Sequence, residues 1–291
     1  MQTAQRIFCL AALYLVLGGL LGSPAAAEPD AAAPGDAAAL PAVDGLNAKI
    51  AGFGGAVEEQ ALYGGAGSVT LPLGQRFGLQ LDGLVTGFDS EGQGDVTIAG
   101  TAAHLFWRDP AQGLLGAYGH YIHADAFDGV DIFAGGVEGA LYWGQFTLEG
   151  VAGVEGGEVD TSFGNFDIDT RFFDVAQVAW YPINDLKLSA GHIYSLDQHA
   201  ALFGAEWGLD AGSGIMASLF ANGSVSEDGD GAVLGGLRLY FGQQPKPLIR
   251  RHREDDPMIT LDTYTGGRQR IISDHTTYGI EIDCLGPVFT C

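Results

Sequence analysis

Residues 143–155 read WGQFTLEGVAGVE: a tryptophan, a tight Gly144-Gln145 turn, then alternation, with Phe146, Leu148, Gly150, Ala152 and Val154 on one face and Thr147, Glu149 and Glu155 on the other. A period of two marks a strand whose faces meet different environments. The arrangement recurs along the chain. All four tryptophans, Trp107, Trp143, Trp180 and Trp207, close an alternating apolar segment just before a short turn. Aromatic side chains gathered at one end of apolar-out, polar-in strands form the interfacial girdle of a membrane barrel. These four are therefore the expected aromatic girdle.

Working outward, residues 47–242 carry the same pattern in about twelve segments separated by Gly, Pro and Asp clusters. Phe77, Leu79, Leu81 and Val85 oppose Gln80, Asp82 and Thr86, while Val233, Leu237, Leu239 and Phe241 oppose Arg238 and Tyr240. The expected fold is all-β: a transmembrane antiparallel up-and-down β-barrel of about 12 strands. A soluble sandwich alternates as well, so the connections carry the distinction. Tight turns at 73–76, 143–145 and 181–185 alternate with the acidic stretches 89–95, 124–129, 155–170 and 224–231, which are expected to be long loops. Short periplasmic turns with longer outer loops are the membrane-barrel pattern, and an even strand number returns both ends of the barrel to the periplasm.

The flanks fit an exported chain. One positive charge in residues 1–6, an apolar run over 7–21, a Gly22-Ser23-Pro24 break and Ala25-Ala26-Ala27 predict a cleaved signal peptide, residues 1–27. Residues 28–46 are Ala/Pro-rich without periodicity and are expected to be a disordered leader. Residues 243–291 are expected to form a periplasmic C-terminal tail that opens with Pro245-Lys246-Pro247 and the basic run Arg250-Arg251-His252-Arg253. Three placements of that tail stay open: against an acidic partner, plugging the lumen from below, or loose. Cys284 and Cys291, in an oxidising compartment, are a candidate disulfide or two free thiols. The formal charge of −23 becomes −24 once the signal peptide, with its one Arg and no acid, is removed. Nucleic acid, whose binding needs Lys and Arg against phosphate, is excluded as a partner.

One local motif carries a resemblance. Leu237-Arg238-Leu239-Tyr240-Phe241 resembles the terminal strand signal of bacterial outer-membrane β-barrels, porin-like proteins whose last strand ends in an aromatic residue. The resemblance implies outer-membrane lipid and the barrel-assembly machinery as partners, although this chain runs on past Phe241. It points to no single family.

Candidate lumen-lining residues are Asp82, Glu138, Glu149, Asp174, Glu206 and Arg238, with Lys187. Glu138 and Glu206 stand between small neighbours, which leaves room for water or solute. Carboxylates around a lumen favour cations, so a narrow passive channel for small polar solutes or cations is one expectation. Pairing of these acids with Arg171, Arg238 and Lys187, bracing a closed interior, is the other. A non-conducting structural or surface-interaction barrel with acidic outer loops is the alternative function, and a lipid-modifying outer-membrane enzyme the third and less favoured one. No cofactor or catalytic set is expected: His192 and Ser195, three positions apart on a strand, point to opposite faces. The closely spaced acids at 227–231 and 167–169 match no complete calcium loop and leave divalent cations as partners of the acidic loops.

Overall fold

The computed structural model describes residues 40–57, 60–90, 94–126, 128–162, 164–227, 229–257 and 261. The expected signal peptide, most of the leader, and Cys284 and Cys291 lie outside these residues. Twelve strands follow in order: β1 (Asn47–Val57), β2 (Gln60–Leu73), β3 (Phe77–Ser90), β4 (Gly94–Asp109), β5 (Gly113–Ala124), β6 (Gly129–Trp143), β7 (Phe146–Thr161), β8 (Gly164–Ile183), β9 (Leu186–Ser195), β10 (Gln198–Gly212), β11 (Ile215–Ser226) and β12 (Gly231–Phe241). Each pairs antiparallel with its sequence neighbours, and β1 pairs with β12 to close the barrel. Among the described residues a short helix, α1 (Leu248–Glu254), follows.

Alternation sorts the side chains. Leu81, Leu105, Leu115, Val137, Leu141 and Leu237 stand on the outer face and are exposed, a pattern that suits lipid and is unstable in water. The four tryptophans lie on that face at the end that carries the β2–β3, β4–β5, β6–β7, β8–β9 and β10–β11 turns, which we call the near end; Trp143, the most open, is 81% exposed. Tyr63, Tyr121, Phe133, Phe172 and Phe203 form a second outward belt towards the far end. Phe133 and Trp143 are ten residues apart on β6, the length a tilted strand needs to cross a bilayer.

The expected long loops are shorter than the composition suggests. β7 and β8 stay paired through the acidic stretch 155–170, with Glu158 opposite Asp167 and a bulge between Glu155 and Gly157. Val159, Phe166 and Ile168 keep the ladder going, and Thr161 Oγ1 donates to the Gly164 carbonyl to close the turn. Likewise β3 reaches Ser90 and β4 begins at Gly94. Solvated acids do not break a ladder whose backbone pairs are already in register.

Glycine permits one close approach that fixes the wall's shape. Gly136 and Gly153 are register partners, and a Cβ on Gly136 would stand 2.2 Å from the Ala152 carbonyl oxygen. No other residue fits there without shifting backbone.

The inner face has two zones. Towards the far end it is apolar, with Phe53, Leu84, Ile98, Ile122, Ile132, Phe173, Ile193 and Phe220 in one buried cluster. Towards the near end it is polar.

Candidate functional site: the lumenal belt and its cap

The polar zone receives side chains from every strand, and its hydrogen bonds fall into two arcs. In the first, Thr70 Oγ1 donates to Gln80 Oε1 at 2.9 Å and Gln80 Nε2 donates to Asp82 Oδ1 at 2.8 Å. His104 then bridges two carboxylates, with Nε2 3.1 Å from Asp82 Oδ2 and Nδ1 2.7 Å from Glu138 Oε2. Both ring nitrogens face acceptors, so both donate only in the imidazolium form. In the second arc, Glu206 accepts from Ser218 Oγ at 2.6 Å, Tyr240 Oη at 2.7 Å and Arg238 Nη1 at 2.8 Å. Gln177 Nε2 donates to Glu149.

Five of the six candidate lumen residues, Asp82, Glu138, Glu149, Glu206 and Arg238, face inward, and each has a partner. Their carboxylates are held by neighbouring donors instead of forming an open ring for passing cations. Asp174 is a correction. Its neighbours Phe173 and Val175 are buried inside, whereas Phe172, Val178 and Trp180 share its outward face. Asp174 Oδ1 meets His192 Nδ1 at 3.2 Å there, and His192 Nε2 meets His199 Nδ1 at 2.8 Å. The adjacent pair Phe172-Phe173 makes both faces of β8 look apolar, which hides the phase of the alternation. Arg171 reaches Asp197 in the β9–β10 turn and takes no part in the belt. Ser195 points inward to Glu155 Oε1 at 2.8 Å, so it stands on the face opposite His192. Among the described residues no group of three or more His, Cys, Asp or Glu is placed to hold a metal ion.

The near mouth is covered from two sides by the segments that flank the barrel in sequence. On one side Ala42 and Val43 pack on Phe106 and Leu114, and the Ala42 amide donates to the Gln75 carbonyl at 2.9 Å. These residues belong to the stretch expected as disordered leader; they are ordered because small apolar side chains fill the space beside Phe106. On the other side lies α1. Its opening amides are satisfied by the β8–β9 turn: Leu248 donates to Asp185 Oδ1 at 3.1 Å and Ile249 to the Asn184 carbonyl at 2.9 Å. Arg251, 1% exposed, donates to the Gly214 carbonyl at 2.8 Å, and Arg253 donates to the Phe146 carbonyl at 2.8 Å. Lys49 of β1 pairs with Asp256. The two sides meet where Lys246 Nζ contacts Asp44 at 2.9 Å, Glu254 at 3.1 Å and Asp255 at 2.6 Å.

Past the helix, Leu261 is buried in the apolar cluster inside the lumen. Of the three tail placements left open by the sequence, the described part adopts the plug. Residues 262–291 lie outside the described residues.

His252 joins cap to belt. Its Nδ1 is 2.8 Å from Tyr181 Oη and its Nε2 3.0 Å from Tyr240 Oη. Tyr240 donates its hydrogen bond to Glu206, so its oxygen accepts from His252 Nε2–H, and burial favours the neutral ring, which presents Nδ1 to Tyr181. Burial holds the imidazole pKa well below its ordinary value near 6.5, against the pull of Glu206. A folded-state value below the unfolded one means that docking is fully supported above about pH 6.5 and weakens as pH falls. Hydrogen exchange of the α1 amides, corrected for intrinsic rate, is expected to show faster opening at pH 5 than at pH 7. His252→Phe should flatten that dependence, and an unchanged dependence in the variant would contradict the assignment.

Sequence reading did not single out His104, Lys49 or the ligands of the cap. His104 lies two positions from Ala102 on the inward phase of β4 and was legible by extending that phase. The cap contacts join residues up to 207 positions apart, as in Lys49 with Asp256, and left no local signal.

No protein-family model matches the chain, and no curated protein matches it. Among solved structures it is similar to the KdgM porin, at 6% identity over 65% of this chain and 97% of that one, with a TM-score of 0.46. It is also similar to the translocator domain of the autotransporter NalP from Neisseria meningitidis, at 13% identity over 82% and 96%, with a TM-score of 0.44. A FadL homologue from Pseudomonas aeruginosa matches at 8% identity over 68% and 89%, with a TM-score of 0.35. The structures this chain resembles are thus barrels of the outer-membrane kind, while its own twelve-strand closure rests on the strand ladder described above.

Proposed function

We propose that this chain is an outer-membrane channel for small polar solutes, shut at rest by its own flanking segments. The near end then faces the periplasm, as the end that carries both flanks of a barrel with an even strand number does. Lipid is the solvent of the outer face, and the aromatic belts sit at its two interfaces. The observation that carries the reading is the cap: a helix and the two residues after it, joined by hydrogen bonds and an ion pair to β1, β7, β8 and the β8–β9 and β10–β11 turns. Twelve strands enclose more than the eight whose side chains fill a barrel by themselves, and here chain segments occupy the near mouth.

The partnered carboxylates favour a lumen that does not select cations. A second reading, a non-conducting structural barrel, is favoured by the apolar cluster in the far half and by Leu261 within it. Liposome swelling separates the two. A chain ending at Gln243 should pass glycerol and exclude a trisaccharide, while the full chain passes neither. Exclusion of glycerol by both folded forms would support the second reading.

A further inference from the structure

The lumen holds a cavity of about 60 Å³ walled by β8 to β12 and β1, with His252 of the cap at its lower side. Its lining combines Lys49, Lys187, Arg238 and Glu206 with Ser189 and Asn222. Three cations against one carboxylate give +2, and pairing of Lys49 with Asp256 leaves +1. Arg238 is held by Glu206. Lys187, by contrast, has no hydrogen bond or ion pair among the described residues, although Glu149 and Glu206 lie within electrostatic range. Ser189 and Asn222 likewise have no hydrogen-bond partner among the described residues.

These groups converge on one spot, and a glycine makes the space. A Cβ on Gly204 would stand 2.6 Å from Ser189 Oγ and 2.9 Å from Asn222 Oδ1. Lys187, paired in register with Glu206 on β10, lies one inward position from Ser189 on β9. The unmet capacity is one ammonium, one hydroxyl and one amide around an open floor. A second cation repeats the sign: Arg108, 1% exposed, stacks on the Phe106 ring and has no hydrogen-bond partner among the described residues for any guanidinium nitrogen. Glu206, the carboxylate of this cavity, already accepts from Ser218, Arg238 and Tyr240, while Lys187 carries no hydrogen bond among the described residues, so the complement this cavity lacks is an anion.

We propose that this cavity binds a small hydroxylated carboxylate, anchored through Lys187, with Ser189 and Asn222 on its hydroxyl. A water needs roughly 10–15 Å³ of such space, so the cavity accepts on the order of four to six non-hydrogen atoms, the size of lactate. The site belongs to the lumen of the proposed channel. Its test reads equilibrium binding to the intact, closed chain, so its outcome is separate from whether the barrel conducts.

The experiment is titration calorimetry of the detergent-folded full chain with lactate and, in parallel, with neutral lactamide. Saturable lactate binding is expected, with lactamide at least tenfold weaker, since a charge-assisted bond is lost. Lys187→Gln should weaken lactate about tenfold or more, and Lys187→Arg should retain it. Gly204→Val, which fills the floor from a different strand, should abolish it. Heat-dependent gel mobility certifies that each variant is folded. Absence of saturation, equal binding of lactamide, or undiminished binding by folded Lys187→Gln would each overturn the proposal.

Discussion

Replacing His104 by Leu is expected to cost about 3–5 kcal/mol of barrel stability, the range seen when one partner of a buried ionic pair is removed. The imidazole sits between Asp82 and Glu138, whose side chains are 2% and 4% exposed. Without it, Asp82 keeps the Gln80 amide as a donor, but Glu138 loses the hydrogen bond to its Oε2 while its Oε1 is already unpartnered. Two buried carboxylates then lie close together without the cation between them. Neutralising both, as Asp82→Asn with Glu138→Gln in the same chain, should recover most of the loss, because the penalty lies in the charges left behind and not in the missing ring. The urea midpoint of the heat-modifiable folded band measures this. A change below about 1 kcal/mol in His104→Leu would mean the bridge is not a structural element.

The second large effect falls on the cap. Among the described residues, Lys246, with its side chain 2% exposed, is the only cation within contact of all three carboxylates, Asp44, Glu254 and Asp255, that come from both flanking segments. Arg250 and Arg251 support Glu254 and Asp255 from the helix itself but do not reach Asp44. Lys246→Met leaves acids of the two segments facing one another, so undocking should become easier by about 3 kcal/mol. Two decades in the open population follow from that figure. Trypsin cleavage after Arg250 and Arg251 should therefore accelerate about 100-fold while the barrel band keeps its mobility. Equal cleavage rates in the two proteins would show that the flanking segments are not held together by this amine.

How far the residues announce all this differs by part. Strand number, closure and the outer belts follow from a period of two, because lipid enforces the alternation on every strand. Phase failed once, at Asp174, where Phe172 and Phe173 are adjacent and either could face lipid. Acidic composition misled at 155–170, because a hairpin pairs through its backbone whatever its side chains carry. The belt was legible as a set of inward acids, yet not its chemistry: whether Glu206 is open or held depends on Ser218, Arg238 and Tyr240, which lie on other strands. The cap was least legible. A basic run such as Arg250-Arg251-His252-Arg253 reads as a solvated or partner-binding tail, and only the closed barrel brings Tyr181, Gly214 and Phe146 to one mouth where it can dock.

A barrel held shut from within its own chain should conduct once the cap is removed. The most direct test is single-channel current across a planar bilayer, comparing the folded full chain with a folded chain ending at Gln243. The expected result is a silent full chain and discrete steps from the shortened one, with no preference for cations in a salt gradient. Silence from both folded proteins, or the same steps from both, would contradict it.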